Sequence, residues 1–127
     1  MDQSFGKTYK LCSQKLMESL FQEGNSVKAF PLKLIFLEAE HPGMAPFQVL
    51  LSVPKKKFKH AHDRNYLKRC MREALRKNKS EIEQYLTSSN KKLIFALVYL
   101  SDERLPYLAI EQRVIKAITQ LKTELGA

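Results

Sequence analysis

Residues 55–79 of the chain read KKKFKHAHDRNYLKRCMREALRKNK and hold eleven Lys or Arg against two acidic residues, Asp63 and Glu73. The formal charge of this stretch is +9, which equals the net charge of the whole 127-residue chain. The positive charge is therefore concentrated in one place instead of being spread over the surface. Such a concentration indicates a polyanionic partner, because each neutralised phosphate releases condensed counterions.

The second half of this stretch is predicted to form an amphipathic helix. From Asp63, the expected N-cap, to about residue 77 there is no Gly, Pro or β-branched residue. Apolar residues fall on one side of this helix, and basic residues recur every four positions on the other. The members of this basic stripe are Arg64, Lys68, Arg72 and Arg76. A merely solvated face usually mixes both signs of charge, so the pattern favours an anion-binding face.

Apolar patterns elsewhere predict the remaining elements. We expect a helix capped by Ser13 and running to about residue 22, then strands at 27–39 and 47–53. After the basic helix come a short helix with a Ser80–Glu83 capping box, a central strand at 92–100 and a last helix at about 107–122. This order, α-β-β-α-β-α, indicates a two-layer α+β domain. The whole chain, 1–127, is expected to be one RNA-binding domain with residues 1–10 as a flexible arm.

Several classes of protein are disfavoured by the sequence. No apolar run approaches the ~20 residues that span a bilayer, and the N-terminus lacks the apolar stretch of a signal peptide. Cys12 and Cys70 fit no paired metal spacing and are expected to be buried thiols of a cytoplasmic protein. The four glycines are scattered, so no nucleotide-binding loop is present. We therefore expect neither a membrane nor a small-molecule substrate as partner.

One cluster, His60, His62 and Asp63, could in principle transfer protons or bind a metal. A hydrolytic metal site generally needs further carboxylate or histidine ligands, and the only other histidine is His41. The competing interpretation is a phosphate-contacting loop, which the neighbouring lysines favour. The sequence therefore predicts no catalytic or metal-binding residue in this chain, with a stand-alone metallonuclease as an alternative.

The segment LSVPKKKFKHAHDRNYLKRCMREAL, residues 51–75, resembles the signature of the protein component of bacterial ribonuclease P. In that signature a strand ending in S-V-x-K-K precedes a basic loop and a helix reading R-N-R-x-K-R-x-x-R. The matching positions are Ser52, Val53, Lys55, Lys56, Arg64, Asn65, Lys68, Arg69 and Arg72. Tyr66 departs from the pattern, because the family usually has a second arginine there. The resemblance also includes F-G-K-x-x-K-L-C at residues 5–12 and covers nearly the whole chain.

The resemblance implies the protein subunit of a ribonucleoprotein endonuclease that removes 5′ leaders from precursor tRNA. In that family the RNA subunit performs the hydrolysis with Mg²⁺, so the implied partners are a catalytic RNA and precursor tRNA. The implied fold is ribosomal protein S5 domain 2-like with a left-handed βαβ crossover, although such crossovers are generally right-handed. A structural, ribosomal-type RNA-binding protein is the main alternative function.

The resemblance and the charge pattern together give two sets of candidate residues. The expected RNA-binding residues are Lys55, Lys56, Lys57, Lys59, Arg64, Asn65, Lys68, Arg69, Arg72 and Arg76. The expected residues of a leader-binding cleft are Met17, Phe21, Lys33 and Ile35. Lys33 and Ile35 belong to this cleft only if the strand alternation places them opposite Leu32 and Leu34. For Phe21 the alternative is a place in the core.

Overall fold

The structure is a computed structural model and describes residues 6–126, apart from the side chain of Lys7. A 3-10 helix, Lys7–Tyr9, precedes the larger elements. In chain order these are α1 (Gln14–Glu23), β1 (Asn25–Ala29), β2 (Leu32–Glu38), β3 (Phe47–Ser52), α2 (Ala61–Asn78), α3 (Ser80–Ser88), β4 (Leu93–Tyr99) and α4 (Tyr107–Glu124). The α+β class predicted from the sequence is confirmed.

The four strands form one mixed sheet in the order β1-β2-β4-β3. β2 is antiparallel to both β1 and β4, whereas β3 and β4 are parallel neighbours joined through α2 and α3. The continuous apolar run LIFALVY forms β4, which lies in the interior of the sheet as predicted and is almost wholly buried. The left-handed sense of the β3-to-β4 crossover stays a prediction.

The single strand predicted at 27–39 was wrong: this segment is a hairpin of two strands, β1 and β2. Phe30 and Pro31 form its turn, and the carbonyl of Pro31 accepts a hydrogen bond from Leu100 N–H. The buried residues are odd-numbered before the turn and even-numbered after it. Because side chains alternate with a period of two along a strand, this change of parity was the sequence signal of the turn.

The two faces of the sheet are covered unequally. On one face the main apolar core includes the buried sides of α2 and α4, with residues such as Leu67 and Val114. On the other face α1 lies over a much smaller buried cluster, made of Leu11, Leu20, Ile94 and Ala96. Half-buried residues surround that cluster, so part of this second face remains open to a ligand.

Two predicted helix caps were wrong, and in both cases the carboxylate concerned pairs with another residue. α2 begins at Ala61 with His60 as its N-cap, and Asp63 in its first turn pairs instead with Arg104. α3 has Lys79 as its N-cap and no side-chain capping bond. Glu83 does not close a capping box, since its carboxylate accepts hydrogen bonds from Lys79 and Tyr9.

The N-terminal segment packs on the sheet where it is described. Residues 1–5 of the predicted arm lie outside the described residues, but Tyr9 is buried, with its ring 5.1 Å from that of Phe47. Lys10 forms an isolated parallel bridge with Val49 on the edge strand. Cys70 is buried as predicted, whereas Cys12 is exposed, and both are free thiols. No helix in the described part of the chain is long and apolar enough to span a bilayer.

Candidate nucleic-acid interface

The predicted amphipathic helix is confirmed as α2. It buries Leu67, Cys70, Met71, Ala74 and Leu75 in the main core. On its other side Asn65, Arg69 and Arg72 are exposed, while Arg64, Lys68 and Arg76 are half-buried. The packing of the apolar side fixes the helix against the sheet and turns the basic side chains toward solvent. Like charges four residues apart cost a few tenths of a kcal/mol each, which a bound anion would offset.

Most of the cations in residues 55–79 have no acidic partner in the described part of the chain. Within residues 6–126, only Arg76 and Lys79 of the eleven form ion pairs, with Glu73 and Glu83. The other nine basic residues of the stretch make no ion pair in this part of the chain. Their charge is therefore available to a polyanion, and it is gathered on one helix and the loop before it.

Arg64 sets the shape of that loop. Its Nη1 donates hydrogen bonds to the carbonyl oxygens of Phe58, at 2.6 Å, and Lys59, at 2.9 Å. Phe58 is buried, and its ring meets the edge of Tyr99 at 5.8 Å between centroids. These contacts fix the backbone of the loop on its buried side. The side chains of Lys55, Lys56, Lys57 and Lys59 are exposed. Arg64 thus has a structural role beside any contact with RNA.

Arg76 differs from the other members of the basic stripe, because it forms a two-pronged pair with Glu73. Its Nη2 and Nε lie 2.6 Å and 3.0 Å from the two carboxylate oxygens. The hydrogen bonds from Arg76 hold the pKa of Glu73 below its usual value. Arg76 is therefore less available to a phosphate than Arg72, which lies one turn earlier and is exposed.

A groove of about 430 Å³ lies between α2 and the N-terminal segment, over the edge strand β3. Its lining includes Lys68, Arg72, Tyr9, Lys10 and Leu50. Sequence analysis missed Lys10 and Leu50 as candidates. The signal for Lys10 was present, since it belongs to the F-G-K-x-x-K-L-C segment, but that segment was interpreted as an arm.

The four predicted cleft residues lie on the partly covered face of the sheet or beside it. Met17 and Ile35 come together around the small cluster beneath α1. Lys33 lies two residues before Ile35 on the same face of β2, and Leu32 and Leu34 point into the main core. The predicted strand parity is thus confirmed.

Phe21 is 52% exposed, so it does not fill the core. It lies in the last turn of α1, which Gly24 ends against β2. A Cβ at Gly24 would come within 2.9 Å of the Phe36 carbonyl oxygen, so this close approach requires glycine. The end of α1, and Phe21 with it, is therefore held close to the open face of β2.

The histidine cluster is dispersed around the start of α2. His60 is the N-cap, His62 is exposed, and Asp63 forms an ion pair with Arg104 at 3.4 Å. Among the described residues no three or more His, Cys, Asp or Glu side chains are grouped so that they could hold a metal ion.

Comparisons with known sequences and structures found several matches. A family model described as Ribonuclease P matches residues 5–122. The ribonuclease P protein component of Porphyromonas gingivalis strain ATCC 33277 is 30% identical over 116 residues, which cover 91% of this chain and 84% of that protein. The corresponding protein of Chlorobium phaeobacteroides is 38% identical over 78 residues, covering 57% of this chain and 51% of that protein.

Two solved structures share the fold at low sequence identity. The RNase P protein from Thermotoga maritima is 22% identical with a TM-score of 0.69, covering 87% of this chain and 96% of that one. The RNase P protein of Staphylococcus aureus is 17% identical with a TM-score of 0.66, covering 90% and 95%. At these identities the likeness supports the mixed four-stranded sheet and its helices.

Proposed function

The chain belongs to the ribonuclease P family as its protein component, and from this premise we propose how it binds its two RNA partners. The holoenzyme is an endoribonuclease of tRNA processing. In our proposal the exposed face of α2 and the preceding loop bind the catalytic RNA subunit. The open sheet face beside α1 binds the 5′ leader of precursor tRNA, which the holoenzyme removes.

The observation that carries the first half of the proposal is the uncompensated charge of residues 55–79. Nine of its eleven cations make no ion pair within the described chain, and Lys68, Arg69 and Arg72 are carried on a helix that packing holds rigid. Guanidinium and ammonium groups form strong, charge-assisted hydrogen bonds to phosphate oxygens. A folded RNA subunit, with its closely spaced phosphates, is the partner that this surface fits.

The second half rests on the open sheet face. A single strand can be bound by an aromatic ring on which a base stacks, together with cations that follow the backbone. Phe21 offers an exposed ring at the end of α1, and Lys33 offers a half-buried ammonium on β2. Met17 and Ile35, which pack against the cluster beneath α1, supply apolar contact.

The two surfaces meet at β3. Leu50 lines the same groove as Lys68 and Arg72, and it also packs against the cluster beneath α1. A leader strand on the sheet face would therefore pass close to the RNA subunit bound on α2. This continuity supports a role in which the protein holds substrate and catalytic RNA together.

The chemistry of cleavage is assigned to the RNA subunit, which would hold most of the Mg²⁺. The described residues offer cations and hydrogen-bond donors, which orient phosphates, and they group no carboxylate or histidine ligands for a metal. By neutralising phosphates, the chain would reduce the repulsion between two RNAs and so lower the Mg²⁺ concentration that assembly requires.

The test is cleavage of precursor tRNA by a cognate catalytic RNA at low Mg²⁺, with and without the purified chain. We expect the chain to raise cleavage strongly at low Mg²⁺ and little at high Mg²⁺, and to cleave nothing by itself. Unchanged cleavage at every Mg²⁺ concentration, together with tight RNA binding, would instead indicate a structural RNA-binding protein. Cleavage by the protein alone would revive the metallonuclease hypothesis.

A further inference from the structure

Arg104, which lies outside the basic stretch, is placed against the first turns of α2. The central carbon of its guanidinium lies 3.9 Å from the centre of the Tyr66 ring, within stacking distance. Its Nε lies 3.4 Å from Oδ1 of Asp63, and its side chain is 45% exposed. The loop after β4 thus brings an arginine to the basic face of α2 from about forty positions further along the chain.

The loop that carries Arg104 is held on both sides of it. The buried Tyr99 hydroxyl donates a hydrogen bond to the carbonyl of Glu103 and accepts one from Leu105 N–H at 3.3 Å. Glu103 N–H also donates to the Ser101 hydroxyl at 2.9 Å. Because both neighbours of Arg104 are fixed by the same core tyrosine, its backbone is placed before any ligand arrives.

The contacts of Arg104 leave hydrogen-bonding capacity unused. The guanidinium lies over the Tyr66 ring, and its pair with Asp63 involves Nε. The two terminal nitrogens make no hydrogen bond within residues 6–126. An arginine stacked on an aromatic ring loses little further freedom when it binds a phosphate, because its plane is already oriented. Such a group suits a charge-assisted, two-pronged contact with a phosphate.

We propose that Arg104 is a phosphate-binding residue for the RNA subunit, presented on the Tyr66 ring as an extension of the basic face of α2. Tyr66 is then a platform that positions Arg104, and Asp63 fixes the rotation of its side chain. The inference rests on the proposed binding of the RNA subunit by α2.

The experiment measures the affinity of the full chain for the catalytic RNA at several salt concentrations, together with the melting temperature. We expect Arg104→Ala to weaken binding about tenfold and to make the salt dependence shallower by up to about one unit of slope. Tyr66→Phe, which keeps the ring, should bind like the parent. In the background of Tyr66→Leu, which removes the platform, adding Arg104→Ala should change affinity much less than it does in the parent.

Two control variants separate this inference from the proposed function. Arg113→Ala removes an exposed arginine of α4 and should leave the affinity unchanged, whereas Arg72→Ala should weaken binding. If Arg72→Ala weakens binding and Arg104→Ala gives an unchanged affinity and a parallel salt line, Arg104 is not a phosphate contact. If Arg104→Ala lowers the melting temperature but its salt dependence stays parallel to that of the parent, Arg104 only stabilises the loop. That result would also overturn the inference. If Arg72→Ala has no effect either, the binding of RNA by α2 is itself wrong.

Discussion

The ammonium of Lys79 lies 2.6 Å from Oε1 of Glu83, although the lysine side chain is only 3% exposed. The Tyr9 hydroxyl donates to the other carboxylate oxygen of Glu83 at 2.9 Å and accepts from Lys79 at 3.2 Å. Burial by itself would lower the pKa of Lys79, but the bonds to Glu83 and Tyr9 outweigh it and raise this pKa above its usual value. The lysine is therefore charged in the folded protein, and it links the N-terminal segment to α3.

We predict that Glu83→Gln destabilises the protein by about 3 kcal/mol, because it removes a carboxylate from a buried ammonium. This value is at the lower end for buried pairs, since Glu83 itself is 22% exposed. Urea denaturation at neutral pH measures the free energy of unfolding. Glu81→Gln is the matched control: its pair with Lys122 is on the surface, with Glu81 76% exposed, and should contribute about 0–1 kcal/mol. Equal losses for the two variants would contradict this assignment.

A second prediction concerns alkaline pH. Burial, with a smaller effect of the 3.1 Å hydrogen bond to Glu111, raises the pKa of Tyr107 from 10.0 to about 12. Between these values the unfolded state loses the phenolic proton and the folded state keeps it, so stability falls as pH rises. Because Tyr107 is only half-buried, solvent screens this effect, and the tyrosine should account for a loss of about 1 kcal/mol. Tyr107→Phe should therefore lose less stability than the parent over the same pH range. Parallel pH profiles for the two proteins would contradict the raised pKa.

A third prediction distinguishes two arginines of the same stripe. Arg72 is exposed and makes no ion pair within residues 6–126, whereas Arg76 is held by both carboxylate oxygens of Glu73. Arg72→Ala should therefore weaken assembly with the RNA subunit and make its salt dependence shallower by up to about one unit of slope. Arg76→Ala should have a smaller effect on both. Titrations at several salt concentrations measure this, and equal effects would show that the Glu73 pair opens on binding.

The fourth prediction separates the charge of Arg64 from its hydrogen bonds. Arg64→Lys keeps the charge but cannot reproduce the 2.6 Å and 2.9 Å bonds from one planar group to the Phe58 and Lys59 carbonyls. We expect faster hydrogen exchange of the loop amides and weaker binding of the RNA subunit. Lys68→Arg, a charge-conserving change on the same face, should leave loop exchange unchanged. Parent-like loop exchange in Arg64→Lys would show that these bonds do not order the loop.

The sequence predicted best those elements whose pattern is long and regular. The basic helix, the apolar strand β4 and the last helix were all recognised, because an 18-residue amphipathic pattern or a continuous apolar run has few other interpretations. The β1–β2 hairpin was not predicted, because its two short strands together resemble one strand of alternating apolar and polar residues. The caps predicted at Asp63 and Ser80 were wrong, because the carboxylates of Asp63 and Glu83 pair with Arg104 and Lys79 instead.

The sequence predicted those features of the candidate site that depend on a single segment of the chain. Positive charge on one helix is visible in the sequence, and so is the parity that puts Lys33 and Ile35 on one face. The exposure of Phe21 is not visible in the sequence, because helical periodicity places this residue on the apolar side of α1. Its ring is exposed only because of the way α1 packs on the sheet. Arg104 could not be found either, since its position depends on how Tyr99 folds the loop after β4.

The last prediction tests the leader-binding cleft through Phe21. A base stacked on an aromatic ring contributes about 1–3 kcal/mol, and leucine retains part of the apolar contact without the flat surface. Phe21→Leu should therefore weaken binding of precursor tRNA about five- to tenfold in the holoenzyme. The affinity for mature tRNA, which has no leader, should be nearly unchanged, and so should the affinity for the RNA subunit. Because the ring is 52% exposed, the melting temperature should change little.

Phe30→Leu is the matched control for Phe21→Leu, because Phe30 is also an exposed aromatic, at 66%, but lies in the β1–β2 turn and not on α1. It should bind both forms of tRNA like the parent. Shortening the leader one nucleotide at a time then locates the stacked base: the difference between parent and Phe21→Leu should vanish at the length where that base is lost. Equal weakening for precursor and mature tRNA would move the leader away from α1. A loss of affinity in Phe21→Leu that does not depend on leader length would lead to the same conclusion. The base that stacks on Phe21 must belong to the leader if the cleft is to distinguish precursor from mature tRNA.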